Sequence, residues 1–308
     1  MSIFNNRNNL LVVDTLNLCF RFKHTLYKAE DVSVPEWATL DDMVEVMREE
    51  LAHVYFKEQF MNTVTSLAAS YKAKNIICVA DLGSSTWRKE IYPEYKADRN
   101  EKVAALSITE QAIGKVFMEH YRMLLDDLEK EGMAAIFSPG IEADDIAAYI
   151  VLNYSDKYEH TWLVSSDEDW DLLLSQNVSR FNWACKSTWK NVAKTGPRPR
   201  EITLDNWSEH YIYDRQHHLA MKALQGGEDN IIGVTGVGPK RALDLLNKYG
   251  SIKGLLAALP ITSSKAAYIR ELNASKERIA MNLNIMDLVL HNDAIVPIEV
   301  KRMVANVI

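Results

Sequence analysis

The chain has 308 residues, 47% of them hydrophobic and 25% charged, which is ordinary for a globular protein with a substantial core. Its net charge of −7 argues at first against a polyanionic partner. Three scattered cysteines (Cys19, Cys78, Cys185) exclude a disulfide scaffold or a cysteine zinc site and fit a reducing cytoplasm. The polar start MSIFNNRNN does not read as a signal peptide, and no apolar run reaches the roughly 18 residues of a membrane span.

Strand-like runs at 10–14, 75–81, 134–138, 161–166 and 178–183 alternate with helical patterns. They predict an α/β region over residues 1–200, with a mainly parallel sheet flanked by helices. The first run, LLVVD, ends in Asp14. Residues 36–72 then read as one long helix or two in succession. The overlapping segment 28–60 holds nine acids against Lys28, Arg48 and Lys57, which is six of the seven net negative charges. The second run, NIICVAD, ends in Asp81. A long excursion over 88–130 follows, opening with WRKEIYPEYKADRNEK before helical patterning resumes near 108. IEADDIAAYIVLNY predicts a helix from about Glu142, with Ile146, Ala147, Ile150, Val151 and Tyr154 as its buried stripe. The strand TWLVS runs into SSDEDWDLLL. Residues 172–200 contain no acid but carry Arg180, Lys186, Lys190, Lys194, Arg198 and Arg200, a local field suited to a polyanion whatever the total charge. Trp183 and Trp189 in that stretch read as strand packing rather than base stacking. GPRPRE at 196–201 leads into a helical region over 201–308, with helices predicted at 205–225, 239–249, 251–259 and 274–289.

Parallel sheets bind ligands beyond the carboxyl ends of their strands, where Asp14, Asp81 and Asp167 fall. Carboxylates gathered there repel one another unless cations lie between them. Oxygen-only ligands select Mg²⁺ or Mn²⁺ over zinc. Glu142, Asp144 and Asp145 could merely favour a helix dipole, but three acids in four positions point to metal binding. Asp167 could cap a helix, which explains one acid and not the Asp167/Asp169 pair; Asp171 reads as a surface charge. Arg88, Lys96 and Arg99 could hold a phosphate, and Tyr95 could stack on a terminal base. Spacing alone leaves that reading level with a solvated charged loop. In GVTGVGPKRALDLLNKYGS, Gly236 and Gly238 make a tight turn before Pro239, with Lys240 and Arg241 beside its exposed N–H groups. That arrangement resembles the helix–hairpin–helix, which grips DNA backbone without reading sequence. His217 and His218 read as surface or packing residues.

Taken in order, VVDTLNLCFRFKH, ICVAD, WRKEIYPEYKADR, IEADDIAAYIV, SSDEDWDLLL and EDNIIGVTGVGPKRA resemble blocks of the 5′-nuclease superfamily over residues 10 to about 250. That superfamily comprises flap endonucleases, bacteriophage 5′–3′ exonucleases and the 5′-nuclease domain of bacterial DNA polymerase I; the phage enzymes are the nearest in pattern. The resemblance implies a PIN-like 5′-nuclease fold, with a helical arch near 88–130 and a helix–hairpin–helix element near 220–250. It implies one or two Mg²⁺ (or Mn²⁺) ions, the first among Asp14, Asp81, Glu142 and Asp144 with Asp145 alongside, the second among Asp167, Asp169 and Asp229. Lys96 and Arg99 would act on the scissile phosphate, with Arg88 and Tyr95 on the DNA. Gly236, Gly238, Lys240 and Arg241 would hold duplex backbone, with K⁺ at the hairpin. The implied activity is 5′-flap or 5′-end cleavage of branched or duplex DNA by a cytoplasmic monomer, in phage DNA replication or repair. Three departures stand out. Gly226 falls where the family pattern G-D-x-x-D-N has an aspartate, with Glu228 nearby; Thr15 replaces a glycine; and 28–60 reads as an insertion. The rival expectations are a DNA-structure-binding protein whose catalysis is impaired at Gly226, and a metal phosphohydrolase for small substrates.

Overall fold

The computed structural model describes residues 8–27, 38–183, 199–227 and 229–308. Strand β1 (Asn9–Asp14) is the centre of the molecule. Leu11 and Val13 face one core while Leu10 and Val12 face another, all fully buried, as a central parallel strand requires. β1 pairs in parallel with β2 (Ala73–Val79) on one side and β4 (Thr161–Val164) on the other. β3 (Ala134–Ile136) lies outside β2, and β5 (Val178–Phe181) outside β4, giving the order β3-β2-β1-β4-β5-β6. The chain therefore reverses its direction of travel at β1. The crevice at its carboxyl end is the switch point where ligands bind in such sheets. The expected fold class holds, with one addition: β6 (Glu201–Ile202) closes the edge antiparallel to β5.

One face of the sheet is covered by α1 (Thr15–Leu26), α2 (Leu40–Leu51), α3 (Lys57–Ser70) and α6 (Ile108–Lys130). Two helices thus occupy 36–72 rather than one, and residues 28–37 lie outside the described residues. Helix α2 begins with a capping box of Thr39 and Asp42, and α6 with one of Ser107 and Glu110. α2 lays Met43, Val44, Met47 and Leu51 against α6. Arg48 ties the pair from outside, bonding both Glu119 oxygens at 2.8 and 2.7 Å. The acidic helix α2 is in part a buttress for α6. Between β2 and α6 run α4 (Thr86–Ile91) and α5 (Asp98–Ala104), rising over the crevice. The opposite face is covered by α7 (Ala143–Tyr154) and, much later in the chain, α15 (Ile298–Val307).

The expected helix over 205–225 is broken into α8 (Trp207–His210) and α9 (His218–Gln225). The cause is tertiary. Tyr211 donates its hydroxyl to buried Asp171, and the Trp207 indole donates to the Tyr213 carbonyl at 2.7 Å, so 211–214 is drawn away from helical geometry. α10 (Pro239–Tyr249) follows expectation, with Pro239 in its first turn and Gly250 at φ 75° ending it. With α11 (Ile252–Ala257), α12 (Ala267–Ala274) and α13 (Lys276–Met286) it forms a separate core around Leu224, Val237, Ala242, Leu246, Leu255, Leu272 and Ile279. A short α14 (Asn292–Ile295) precedes α15. Among the described residues no helix is long and apolar enough to cross a membrane.

Candidate metal centre

A cavity of about 180 Å³ opens at the carboxyl end of the sheet and is lined by Asp14, Asp81, Asp144, Asp167, Asp169 and Asp229, with Lys96 and Arg99 on its outer wall. Asp14 is the last residue of β1 and caps α1. It accepts from the Asn17 N–H at 3.1 Å and the Ser165 hydroxyl at 2.8 Å. Asp81, two residues beyond β2, accepts from the Ala143 N–H at 2.6 Å. Asp144, in the first turn of α7, accepts from the Trp170 indole at 2.6 Å. All these donors are neutral, and Lys96 and Arg99 act on Asp81 only through space. Burial and then neighbouring Asp81 push the Asp14 carboxyl up to about 8. Burial and then Glu142 push Asp81 up to about 6. Asp144 is raised by burial, Asp167, Asp81 and Asp14. Oxygen donors in this state fit a hard divalent cation. Among the described residues no three metal-binding side chains already form a closed cage; the aspartates stand as walls of one cavity.

Glu142 and Asp145 depart from the expected ligand set. Glu142 is 2% exposed, and both its oxygens are occupied. One accepts from Lys96 at 2.6 Å and the Ser85 N–H at 3.2 Å, the other from Tyr95 at 3.0 Å and Arg88 at 3.1 Å. Burial opposes its charge, but Lys96 and Arg88 outweigh burial and hold the carboxyl below its usual range. Asp145 is fully buried and takes a two-pronged bond from Arg88, 2.8 Å at each prong. Arg88 also donates to the Ile285 carbonyl at 2.9 Å. The expectations for Arg88 and Tyr95 as DNA contacts are corrected for the same reason. Arg88 is 3% and Tyr95 5% exposed, and their polar ends are committed to Glu142 and Asp145. The four residues lock α4, α7 and α13 together at the wall of the cavity, and Glu142 holds Lys96 there.

Lys96 adopts φ 58°, and its N–H bonds the Asp229 carbonyl at 3.1 Å. Arg99 is more than half exposed and reaches Asp229 at 2.7 Å. Asp229 therefore lies beneath the excursion that carries both cations. Asp167 caps a short 3₁₀ turn, accepting from the Asp169 N–H at 2.9 Å. Asp169 lies against Lys222 of α9, a residue that sequence reasoning passed over. The available signal was a single cation within the otherwise uncharged LAMKALQ. Burial pulls the Lys222 pKa down against the pull of Asp167, Glu168, Asp144 and Asp229.

Asp171 is not a surface charge. It is fully buried, paired with Arg180 at 2.5 and 2.7 Å. Arg180 is 1% exposed and so leaves the solvent-facing basic stretch, most of which (184–198, including Trp189) lies outside the described residues. His217 and His218 are packing residues, 5% and 1% exposed.

Gly226 has φ +79°, and a Cβ there would run into the Ile231 carbonyl and the Gly233 nitrogen. The backbone crosses itself at this point, with the Gly227 N–H bonding Ile231 O at 2.8 Å. An aspartate would break this crossing before it could reach the cavity, so restoring an acid at 226 is no test of catalytic impairment. Glu228 lies outside the described residues. In the hairpin Gly236 has φ +79°, and Arg241 bonds its carbonyl at 2.6 Å while lying 4.7 Å over the Tyr268 ring. Arg241 thus braces the turn, and Lys240 is exposed.

A mainly parallel sheet with aspartates gathered at its switch point, cations above and a glycine hairpin beside it defines an acidic, metal-binding phosphoryl-transfer site. Residues 9–197 match the 5′–3′ exonuclease N-terminal resolvase-like domain, and 214–306 match the 5′–3′ exonuclease C-terminal SAM fold. The chain belongs to the 5′–3′ exonuclease family of nucleases. It is 35% identical to the flap endonuclease of Escherichia phage T5 over 92% of this chain and 84% of that one. It is 28% identical to a flap endonuclease of Aeromonas hydrophila over 82% and 80% of the two chains. Among solved structures it resembles the T5 5′-exonuclease with bound zinc, at TM-score 0.79 and 33% identity over 97% and 98% of the two chains. The T5 flap endonuclease in a pseudo-enzyme–product complex with DNA and metal ions matches at TM-score 0.78 and 32% identity over 97% of each chain. Nothing in these likenesses favours a binding protein that has lost catalysis.

Proposed function

We propose that the protein hydrolyses DNA phosphodiesters at 5′ flaps and 5′ ends, using Mg²⁺ at the carboxyl end of the sheet. The observation that carries this reading is the set of three aspartates, Asp14 at the end of β1, Asp81 just beyond β2 and Asp144 in the first turn of α7, none of them ion-paired among the described residues, facing Lys96 and Arg99 across one cavity. When bound, the metal activates water and neutralises charge on the phosphate. Lys96 and Arg99 hold the non-bridging oxygens, Arg99 in two-pronged fashion, and their positive charge stabilises the negative charge that builds there. Glu142 keeps Lys96 extended toward the cavity between encounters. Lys240 and the N–H groups of the 233–238 turn hold duplex backbone, with K⁺ as a further ion at that turn. The contacts are to phosphate, so binding does not depend on sequence, and one chain suffices.

The test is a 5′-flap duplex, labelled on the flap strand and incubated with Mg²⁺. Flap-length products are expected, with Asp144→Asn abolishing cleavage while DNA binding persists. Intact DNA with the unaltered protein, or undiminished turnover in Asp144→Asn, would sink the assignment. A ladder of mononucleotides alone would replace flap cleavage by end-directed action.

A further inference from the structure

Besides acids and cations, the described lining of the cavity includes two neutral polar side chains, Tyr95 and Asn17, and the Tyr95 hydroxyl is committed to Glu142. Asn17 stands in the first turn of α1, three residues after Asp14, whose carboxylate caps its backbone N–H at 3.1 Å. Its side-chain Oδ1 is held from the neighbouring strand end, accepting from the Ser166 N–H at 3.0 Å and from the Ser166 hydroxyl at 2.9 Å. A backbone N–H can only donate, so the atom that faces it is the amide oxygen and not the nitrogen. The support is itself fixed. The Ser165 hydroxyl donates to Asp14 at 2.8 Å and accepts from the Asp167 N–H at 3.1 Å, and Arg180 holds the Ser165 carbonyl at 3.0 Å. With Oδ1 clamped, the direction of Nδ2 is set as well. Among the described residues Nδ2 forms no hydrogen bond, and it is not shut away from solvent.

We propose that Asn17 is a further catalytic residue, whose Nδ2–H donates to a non-bridging oxygen of the scissile phosphate. The proposal rests on phosphodiester cleavage at this cavity and adds to it a contact from the β1–α1 corner, apart from the cations Lys96 and Arg99. A donor placed between Asp14 and Asp167 has to be uncharged. An ammonium or guanidinium at position 17 would pair with those carboxylates, as Lys96 does with Glu142, whereas an amide leaves them free and still presents an N–H. Because its acceptor end is already held by Ser166, the amide needs no reorganisation as negative charge builds on the phosphate, and a donor fixed in advance stabilises that charge most.

The experiment is single-turnover cleavage, with Mn²⁺ as the ion, of a 5′-flap duplex whose scissile linkage is either an ordinary phosphate or one of the two phosphorothioate diastereomers. In each diastereomer sulfur, a poor hydrogen-bond acceptor, replaces one non-bridging oxygen. On the ordinary phosphate Asn17→Ala is expected to cleave about 100-fold more slowly than the parent protein. Its melting temperature and its Mn²⁺ affinity, read without DNA from the free-ion electron paramagnetic resonance signal, are expected to stay at the parent values. On one diastereomer the variant and the parent should converge to within about threefold, because the sulfur has already removed the bond. Asn17→Asp keeps the oxygen that Ser166 holds but lacks the N–H, so it is expected to be slowed as well. Parent-like cleavage by either variant overturns the contact. So does a slowing by Asn17→Ala that is equal on oxygen and on both sulfur substrates, or one matched by lost Mn²⁺ affinity, which would make Asn17 a support for Asp167 alone. No cleavage of the ordinary phosphate by the parent protein overturns the reading of the cavity itself, a distinct result.

Discussion

At the scale of single residues, acidic side chains one to three positions apart do unlike things. Asp144 faces the cavity, whereas Asp145, the next residue of α7, points the other way into a fully buried pair with Arg88. Successive residues on a helix diverge by about 100°, so adjacent acids cannot share one ion's face. Removing one partner of a buried pair leaves the other charged and unsolvated, which typically costs about 3–5 kcal/mol. Arg88→Ala should therefore lower stability by about that amount in urea unfolding, while the folded fraction binds DNA as the parent does. A loss of DNA affinity at unchanged stability would return Arg88 to the DNA-contact role. Asp171 and Arg180 illustrate the same point, an acid and a base nine residues apart that pair only because β5 brings Arg180 back over the 3₁₀ turn.

At the scale of elements, the excursion above the crevice is held from two sides. Its base is tied to the loop before α10 by Tyr92, whose hydroxyl donates to the Asn230 carbonyl at 2.9 Å, and by the Asn230 amide on the Glu94 carbonyl at 3.2 Å. Its return helix, α6, is backed by α2 through fully buried Met47. Met47→Ala should cost roughly 2–5 kcal/mol as a cavity in that contact, read as a lower denaturation midpoint. An effect under about 0.5 kcal/mol would mean that α2 is not integrated into the core. The hairpin before α10 supplies a separate prediction. Lys240 is exposed and beside the turn, so Lys240→Ala should weaken binding to all DNA sequences alike and reduce the salt slope by about one phosphate contact. An unchanged slope would remove Lys240 from the DNA interface.

At the scale of the whole molecule, stability carries a pH dependence of two signs. His120, His160 and His218 are each lowered from the usual 6.5, chiefly by burial. His218 bonds the Glu168 carbonyl at 2.9 Å and the Tyr213 hydroxyl at 3.2 Å, which the neutral ring satisfies with one donor and one acceptor. Below 6.5 the unfolded chain binds more protons than the folded one, so these histidines cost stability as the pH falls. Asp14 and Asp81 act the opposite way in the metal-free protein, because their folded values of about 8 and about 6 exceed the unfolded value of 3.8. Their share of stability is complete in acid and is lost as the pH rises through that window. With Mg²⁺ saturating, the melting temperature should fall on going from about pH 7 to about pH 5.5, and His218→Gln should make that fall shallower. An equal slope in the variant would show that His218 is not among the groups that must charge.

What the residue order determined was the frame. The continuous apolar runs located β1 to β5, and the aspartates that follow the first two point to the carboxyl end of a parallel sheet. The helix over 239–249 was equally legible, since Pro239 and Gly250 mark its ends locally. Legibility stopped where partners lay far apart in the chain. Arg88 reaches Ile285, Lys222 reaches Asp169, and Tyr211 reaches Asp171, and no local pattern encodes those meetings. The kind of site thus follows from residue type at strand ends. Which carboxylates are left without a cation of the protein is settled by where the fold delivers Arg88, Lys96 and Arg180, because a charge buried at close range is governed by its nearest opposite charge.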